Sequence, residues 1–197
     1  GTVLKDLGRL EDAEGSYKQA IALKPDYAEA YGFLGIMLHD FGRLEEAEEN
    51  NRQAALLRPD NPDTHFNLGV TLQALGRLSE AEASYKQAVA LRPDNADSHY
   101  NLGTTLQELG KLEEAEVSYS QAIALKSELV GAFINLGLIL QNLGRLNEAE
   151  ARYTRAINLH PDNDGAHIGL SKVLLKMGRH REGLHEQMVG CGCISFN

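Results

Sequence analysis

The sequence has few of the features that place a chain at a glance. It holds two cysteines, Cys191 and Cys193, one residue apart near the end. A pair so spaced is no disulfide framework, so nothing points to a small secreted domain held by bridges. No run of about 18 apolar residues occurs, which excludes a membrane-spanning helix. No charged-then-apolar leader opens the chain, and its first residue is Gly1, so it reads as a fragment of a longer protein, soluble and cytoplasmic. Basic residues are outnumbered, 19 against 28, and the net charge of −9 repels phosphate backbones, which excludes nucleic acid as a partner. Aromatic residues make up only 6%. The apolar content is mostly Ala and Leu, strong helix formers, so the composition favours helices over sheets.

What is present is repetition. HFNLGVTLQALGRL at 65–78 returns as HYNLGTTLQELGKL at 99–112 and FINLGLILQNLGRL at 133–146, each step 34 residues. A Leu-Gly-type pair falls at Leu7-Gly8, Phe41-Gly42, Leu75-Gly76, Leu109-Gly110, Leu143-Gly144 and Met177-Gly178. Ala13, Ala47, Ala81, Ala115 and Ala149 keep the same register, as do Ala20, Ala54, Ala88, Ala122 and Ala156. Tyr17, Tyr85, Tyr119 and Tyr153 form a further row, broken at Asn51. Pro25, Pro59, Pro93 and Pro161 form another, broken at Ser127. Within a repeat the apolar spacing is helical: Leu68, Leu72 and Leu75, then Leu78, Ala81, Tyr85 and Ala88. Gly76 supplies a left-handed residue between the two runs, and Asn61 and Asn95 stand as N-caps, with Pro62 at the first helical position. Each repeat is therefore helix, tight turn, helix. Small Gly69, Gly103 and Gly137 and the Ala rows face large Tyr and Leu, and stacked repeats share one continuous core. Ser127-Glu128-Leu129 lacks the closing proline, which predicts a second helix running one turn further in that repeat.

These rows resemble the tetratricopeptide repeat family over about residues 1–189. The resemblance implies an all-α, right-handed superhelical α-solenoid of helix-turn-helix repeats that holds other proteins or peptides in its groove. The expected division is a partial repeat 1–27, full repeats 28–61, 62–95, 96–129 and 130–163, and a degenerate repeat from 164. In that last repeat Gly183, Gln187 and Gly190 replace Ala, Tyr and Ala, and 190–197 reads as a tail or the opening of a following domain.

The leading helices should line the concave wall. The rows expected there are Asn67, Asn101 and Asn135; Val70, Thr104 and Leu138; Thr71, Thr105 and Ile139; and Gln73, Gln107 and Gln141, bordered by Phe66, Tyr100 and Ile134. A carboxamide both donates and accepts, so it can grip a peptide bond whatever side chain the peptide carries. Neighbouring helices lie about 8–10 Å apart and an extended chain rises about 3.3 Å per residue, so one Asn per repeat can meet every third amide. The row is similar to the asparagine ladder in the repeat domain of O-linked N-acetylglucosamine transferase, though Phe33 and Gly169 interrupt it. The same Asn row can equally serve helix-to-helix hydrogen bonding. A Lys and Arg clamp for a terminal carboxylate is not expected, because Phe66, Tyr100 and Ile134 stand where cations are needed.

Little else suggests chemistry, and no catalytic, cofactor or metal residues are assigned. His65, His99 and His167 share a row with Tyr31 and Phe133, so they read as packing rings. Cys191 and Cys193 with His180 and His185 lack the second ligand pair of a metal site. The pairs Glu45-Glu46 and Glu113-Glu114 recur in register and read as solvated surface. The KMGRHR cluster at 176–181 is too small to reverse the overall charge. The expectation is a non-catalytic scaffold for a protein or extended peptide. The alternative is the substrate-recruiting arm of a larger glycosyl-, methyl- or sulfo-transferase, suggested by the degenerate last repeat and the strand-like ISFN ending. Self-association through exposed repeat ends is a third expectation.

Overall fold

The computed structural model describes residues 2–192, with side chains from residue 11 onward. Cys193 and the ISFN ending lie outside the described residues. The described residues form eleven helices and no strand. A first helix, α1, runs Thr2–Leu23. Five antiparallel pairs follow: α2 (Ala28–Asp40) with α3 (Leu44–Leu57), α4 (Pro62–Ala74) with α5 (Leu78–Leu91), α6 (Ala96–Glu108) with α7 (Leu112–Leu125), α8 (Val130–Asn142) with α9 (Leu146–Leu159), and α10 (Asp164–Lys176) with α11 (His180–Gly190). The chain divides into two compact units, Gly1–Pro93 with α1–α5 and Asp94–Asn197 with α6–α11. Among the described residues no helix is long and apolar enough to cross a membrane.

Each pair turns in the same way. Leu75 caps α4, Gly76 takes φ +71°, the Gly76 amide donates to the Gln73 carbonyl and the Arg77 amide to the Leu72 carbonyl. That double closure satisfies the last carbonyls of the leading helix, and only glycine enters the left-handed position without strain. Gly42, Gly110, Gly144 and Gly178 repeat it. Helix starts are capped by side chains where Asn is available: Asn61 Oδ1 accepts from the Asp63 amide, Asn95 from Ser98 and Asn163 from Ala166.

The small rows hold the pairs together. Ala47, Ala81, Ala115 and Ala149, and Ala54, Ala88, Ala122 and Ala156, are wholly buried. Tyr85, Tyr119 and Tyr153 lie flat against Gly69, Gly103 and Gly137, whose missing Cβ atoms leave room for the rings. In the last pair Gly183 and Gly190 bring α11 close to α10. A Cβ on Gly183 would meet Leu175 Cγ at 2.8 Å, and one on Gly190 would meet Ile168 Cγ1 at 3.0 Å. The degenerate repeat is thus closely packed by glycine where the others use alanine.

Two expectations are corrected. No turn forms at Gly8, because α1 runs on through it. Nor does α7 run long for want of proline. It ends at Leu125, and its cap Lys126 (φ −138°, ψ 89°) matches Arg92 (φ −137°, ψ 84°) and His160 (φ −138°, ψ 90°). The bend therefore keeps the same backbone with or without the proline.

Ion pairs join repeats within each unit. The arginine after Gly42, Gly76, Gly144 and Gly178 grips a glutamate three residues on and another 29 residues back; Lys111 follows Gly110. Arg43 reaches Glu46 and Glu14, Arg145 reaches Glu148 and Glu116, and Arg179 reaches Glu182 and Glu150, each with contacts of 2.6–2.9 Å. Arg77 does the same to Glu80 and, at 3.5 Å, to Glu48. The glutamate row is therefore an organised seam between repeats as well as a solvated face.

Candidate functional site

The leading helices carry the residues expected to meet a ligand. Thr71 and Thr105, expected on the exposed wall, are buried at 1% and 0% exposure, and Ile139 with them. Their hydroxyls donate to the carbonyls of Asn67 and Asn101 at 3.1 and 2.9 Å, which lets a polar side chain sit in the core without an unmet group. Gln141 is buried too, and its Oε1 has no hydrogen-bond partner among the described residues. Gln73 and Gln107 accept from the hydroxyls of Tyr85 and Tyr119 at 3.1 and 3.0 Å. Phe66 packs edge-on against Tyr85, and Tyr100 is tilted against Tyr119.

The Asn row divides by function. Asn135 Nδ2 donates to the Tyr119 hydroxyl at 3.1 Å and approaches the Tyr100 hydroxyl at 3.4 Å. Tyr119 is fully buried, and loss of solvent pushes its hydroxyl up to about 12, against the opposing pull of its bonds to Thr104 and Asn135. Asn135 therefore ties one repeat to the tyrosine of the repeat before it. Asn101 is half-buried. Asn67 meets no tyrosine in that role, because Asn51 occupies the row there. The shorter Asn51 donates to Thr71 Oγ1 at 3.0 Å and toward the Asn67 carbonyl at 3.5 Å, and its buried Oδ1 has no partner among the described residues.

The Asn67 side chain instead faces a hollow of about 250 Å³ between α2 and α4. Phe33 and Ile36 form its apolar wall, exposed at 56% and 39%. Gly32 and Ala28 complete the α2 side, and Asp63 and Thr64 the α4 side. Arg58 stands at the rim, donating to Glu29 at 3.0 Å. Ile36 and Gly32 were not singled out from sequence, and Phe33 was noted only as a break in the Asn row. Their signal was available as two breaks in register within one repeat, Gly32 and Asn51.

The histidine row proves more than packing. The Pro59 and Pro161 carbonyls can only accept, so His65 and His167 donate to them from Nε2, at 3.0 and 2.7 Å. His167 Nδ1 also lies 2.6 Å from Glu186 Oε2, pinning α11 to α10. Cys191 is exposed, and Cys193 lies outside the described residues.

Stacked helix pairs with a turn glycine and a 34-residue step define a helical-repeat solenoid. The chain belongs to the tetratricopeptide repeat family: models of that repeat match residues 1–63, 72–110, 96–129 and 140–185. No curated protein sequence matches it. Its fold is that of several solved structures. MamA of Desulfovibrio magneticus RS-1 superposes with a TM-score of 0.79 at 19% identity, over 84% of this chain and 93% of that one. YrrB, a tetratricopeptide repeat protein with an unusual peptide-binding site, gives 0.79 at 21% identity, over 88% and 90%. PilF of Pseudomonas aeruginosa gives 0.74 at 24% identity, over 86% and 78%.

Proposed function

We propose that this chain is a non-catalytic interaction scaffold that holds an extended segment of a partner protein against its leading helices. The observation that carries this reading is the hollow between α2 and α4, where exposed Phe33 and Ile36 sit beside the uncommitted carboxamide of Asn67. Exposed apolar side chains next to a group that can both donate and accept suit a peptide, which brings side chains and amides together. The peptide-binding site of the similarly folded YrrB supports the same use of this fold. Asn135 serves mainly to join repeats, through its bond to the Tyr119 hydroxyl.

The test is peptide-array binding of the wild-type chain against Asn67→Ala and Asn135→Ala, with circular dichroism melting beside it. Asn67→Ala should weaken binding and leave melting unchanged. Asn135→Ala should lower melting. Unaltered binding by Asn67→Ala, with the fold intact, would overturn the assignment.

A further inference from the structure

Gly32 and Asn51 both remove a ring from the same neighbourhood. Where Gly32 stands, other repeats carry Phe66, Tyr100 and Ile134; where Asn51 stands, they carry Tyr85, Tyr119 and Tyr153. The unit 94–197 shows what this neighbourhood holds when the rings are present. There the Tyr100 hydroxyl lies 3.0 Å from where a Gly131 Cβ would stand, and Asn135 Nδ2 approaches it at 3.4 Å. The ring leans on Tyr119, centroids 5.7 Å apart. Two repeats earlier in the register, Tyr100, Thr104, Gly131 and Asn135 become Gly32, Ile36, Asp63 and Asn67. Those four residues line the hollow between α2 and α4. The hollow is therefore the counterpart of the seat that Tyr100 fills with its own side chain.

We propose that this hollow binds the side chain of a tyrosine presented by an extended, basic segment of a partner protein. The inference rests on the peptide-binding reading and names the residue the peptide must bring. Size agrees: a cavity of about 150 Å³ already takes a benzene ring, and this one measures about 250 Å³. Phe33 and Ile36 supply the apolar sides, and aromatic pairs add attraction beyond the area they bury. The polar end agrees as well. Asn67 can donate to a phenol oxygen as Asn135 does, while Asp63, in the Gly131 position, is held by Arg92 at 2.8 and 3.1 Å. Charge bears on the flanks. Glu29 and Asp63 at the hollow are paired with Arg58 and Arg92, so the preference for cationic neighbours and against a phosphorylated ring comes from the net charge of −9.

The experiment titrates the full chain into a fluorescent, unstructured, lysine-rich peptide with one central tyrosine. Matching peptides carry phenylalanine, alanine or phosphotyrosine at that position. The tyrosine peptide should bind at least about tenfold tighter than the alanine peptide, with phenylalanine between them and phosphotyrosine weaker than tyrosine. Gly32→Tyr should refill the seat and abolish the tyrosine–alanine difference without lowering the melting temperature, because a Cβ there meets only Ala54 Cβ at 3.9 Å. Phe33→Ser, at an exposed position, provides a second variant that should weaken the tyrosine peptide. Equal affinity for tyrosine and alanine peptides overturns the tyrosine seat; if Asn67→Ala still weakens both, the peptide-binding reading survives. Tightest binding by phosphotyrosine overturns it in favour of an anion site at Arg58. Self-association in sedimentation that Gly32→Tyr abolishes overturns it in favour of a second copy of this chain. Failure of every peptide overturns both readings.

Discussion

Asn135 donates from Nδ2 to the hydroxyl of Tyr119, 16 residues earlier and one repeat back, at 3.1 Å. The hydroxyl is buried and its own proton is shared between Thr104 Oγ1 and Gln107 Oε1 at 3.1 and 3.0 Å. Removing Asn135 leaves part of that cluster unmet. A double-mutant cycle of Asn135→Ala and Tyr119→Phe, followed by urea unfolding, should give a coupling of about 1 kcal/mol. Additive losses would mean the two residues stabilise the stack independently.

Asn51 is a tyrosine position filled by a shorter side chain with an unmet buried oxygen. Gly35 lies against it as Gly69, Gly103 and Gly137 lie against their tyrosines, so the glycine floor for a ring is already present. Asn51→Tyr should therefore stabilise the chain, by about 1–3 kcal/mol from the relieved desolvation alone. A fall in the urea midpoint would show that the floor does not admit the ring.

Ser127 occupies a bend with the backbone of its proline-bearing counterparts. Ser127→Pro should raise stability by about 0.4–1 kcal/mol, because the unfolded chain loses freedom while the native bend is unchanged. Thermal melting beside wild type measures this. A lower melting temperature would mean that the Ser127 position differs from Pro93 in a way the capping angles do not reveal.

Acid should loosen the seam between repeats. Hydrogen bonds from Arg43 and then Lys18 hold the Glu14 carboxyl at about 2, below its ordinary 4.5. Arg43, Arg77, Arg145 and Arg179 likewise lower Glu46, Glu80, Glu148 and Glu182. As pH falls below about 4.5 the unfolded state takes up these protons first. The stabilisation is thus present above that pH and lost toward pH 2. It is modest, because the groups are exposed and salt screens them. Melting temperatures across this window should decline, and Arg43→Gln should flatten part of the decline. An unchanged profile in that variant would remove the pair from the acid response.

The repeat period, the turn glycines and the Asn caps were legible because each is a local requirement written into one residue. The burial of Thr71 and Thr105 was not. A leading helix in a stack is covered on more than one face, and a threonine that bonds its own helix carbonyl can enter the core while looking polar in sequence. The dual use of the asparagine row was hidden for a related reason. Asn67 and Asn135 are identical in register, and what separates them is Asn51 against Tyr119, 16 residues earlier in each case. The hollow forms where Gly32 stands in the row that carries Phe66 and Tyr100 elsewhere, and its lining from α2 and α4 is brought together only in space.

The arginine seam has a consequence for how such a chain can change length. Four joints, two within each unit, are made from the same two halves, a glutamate carried by one repeat and an arginine 29 residues on, carried by the next. Arg43 with Glu14 and Arg179 with Glu150 are therefore interchangeable couplings. Insertion or removal of one whole 34-residue segment brings a matching half to each new junction, so repeats behave as exchangeable parts whose number can drift while their fit is kept.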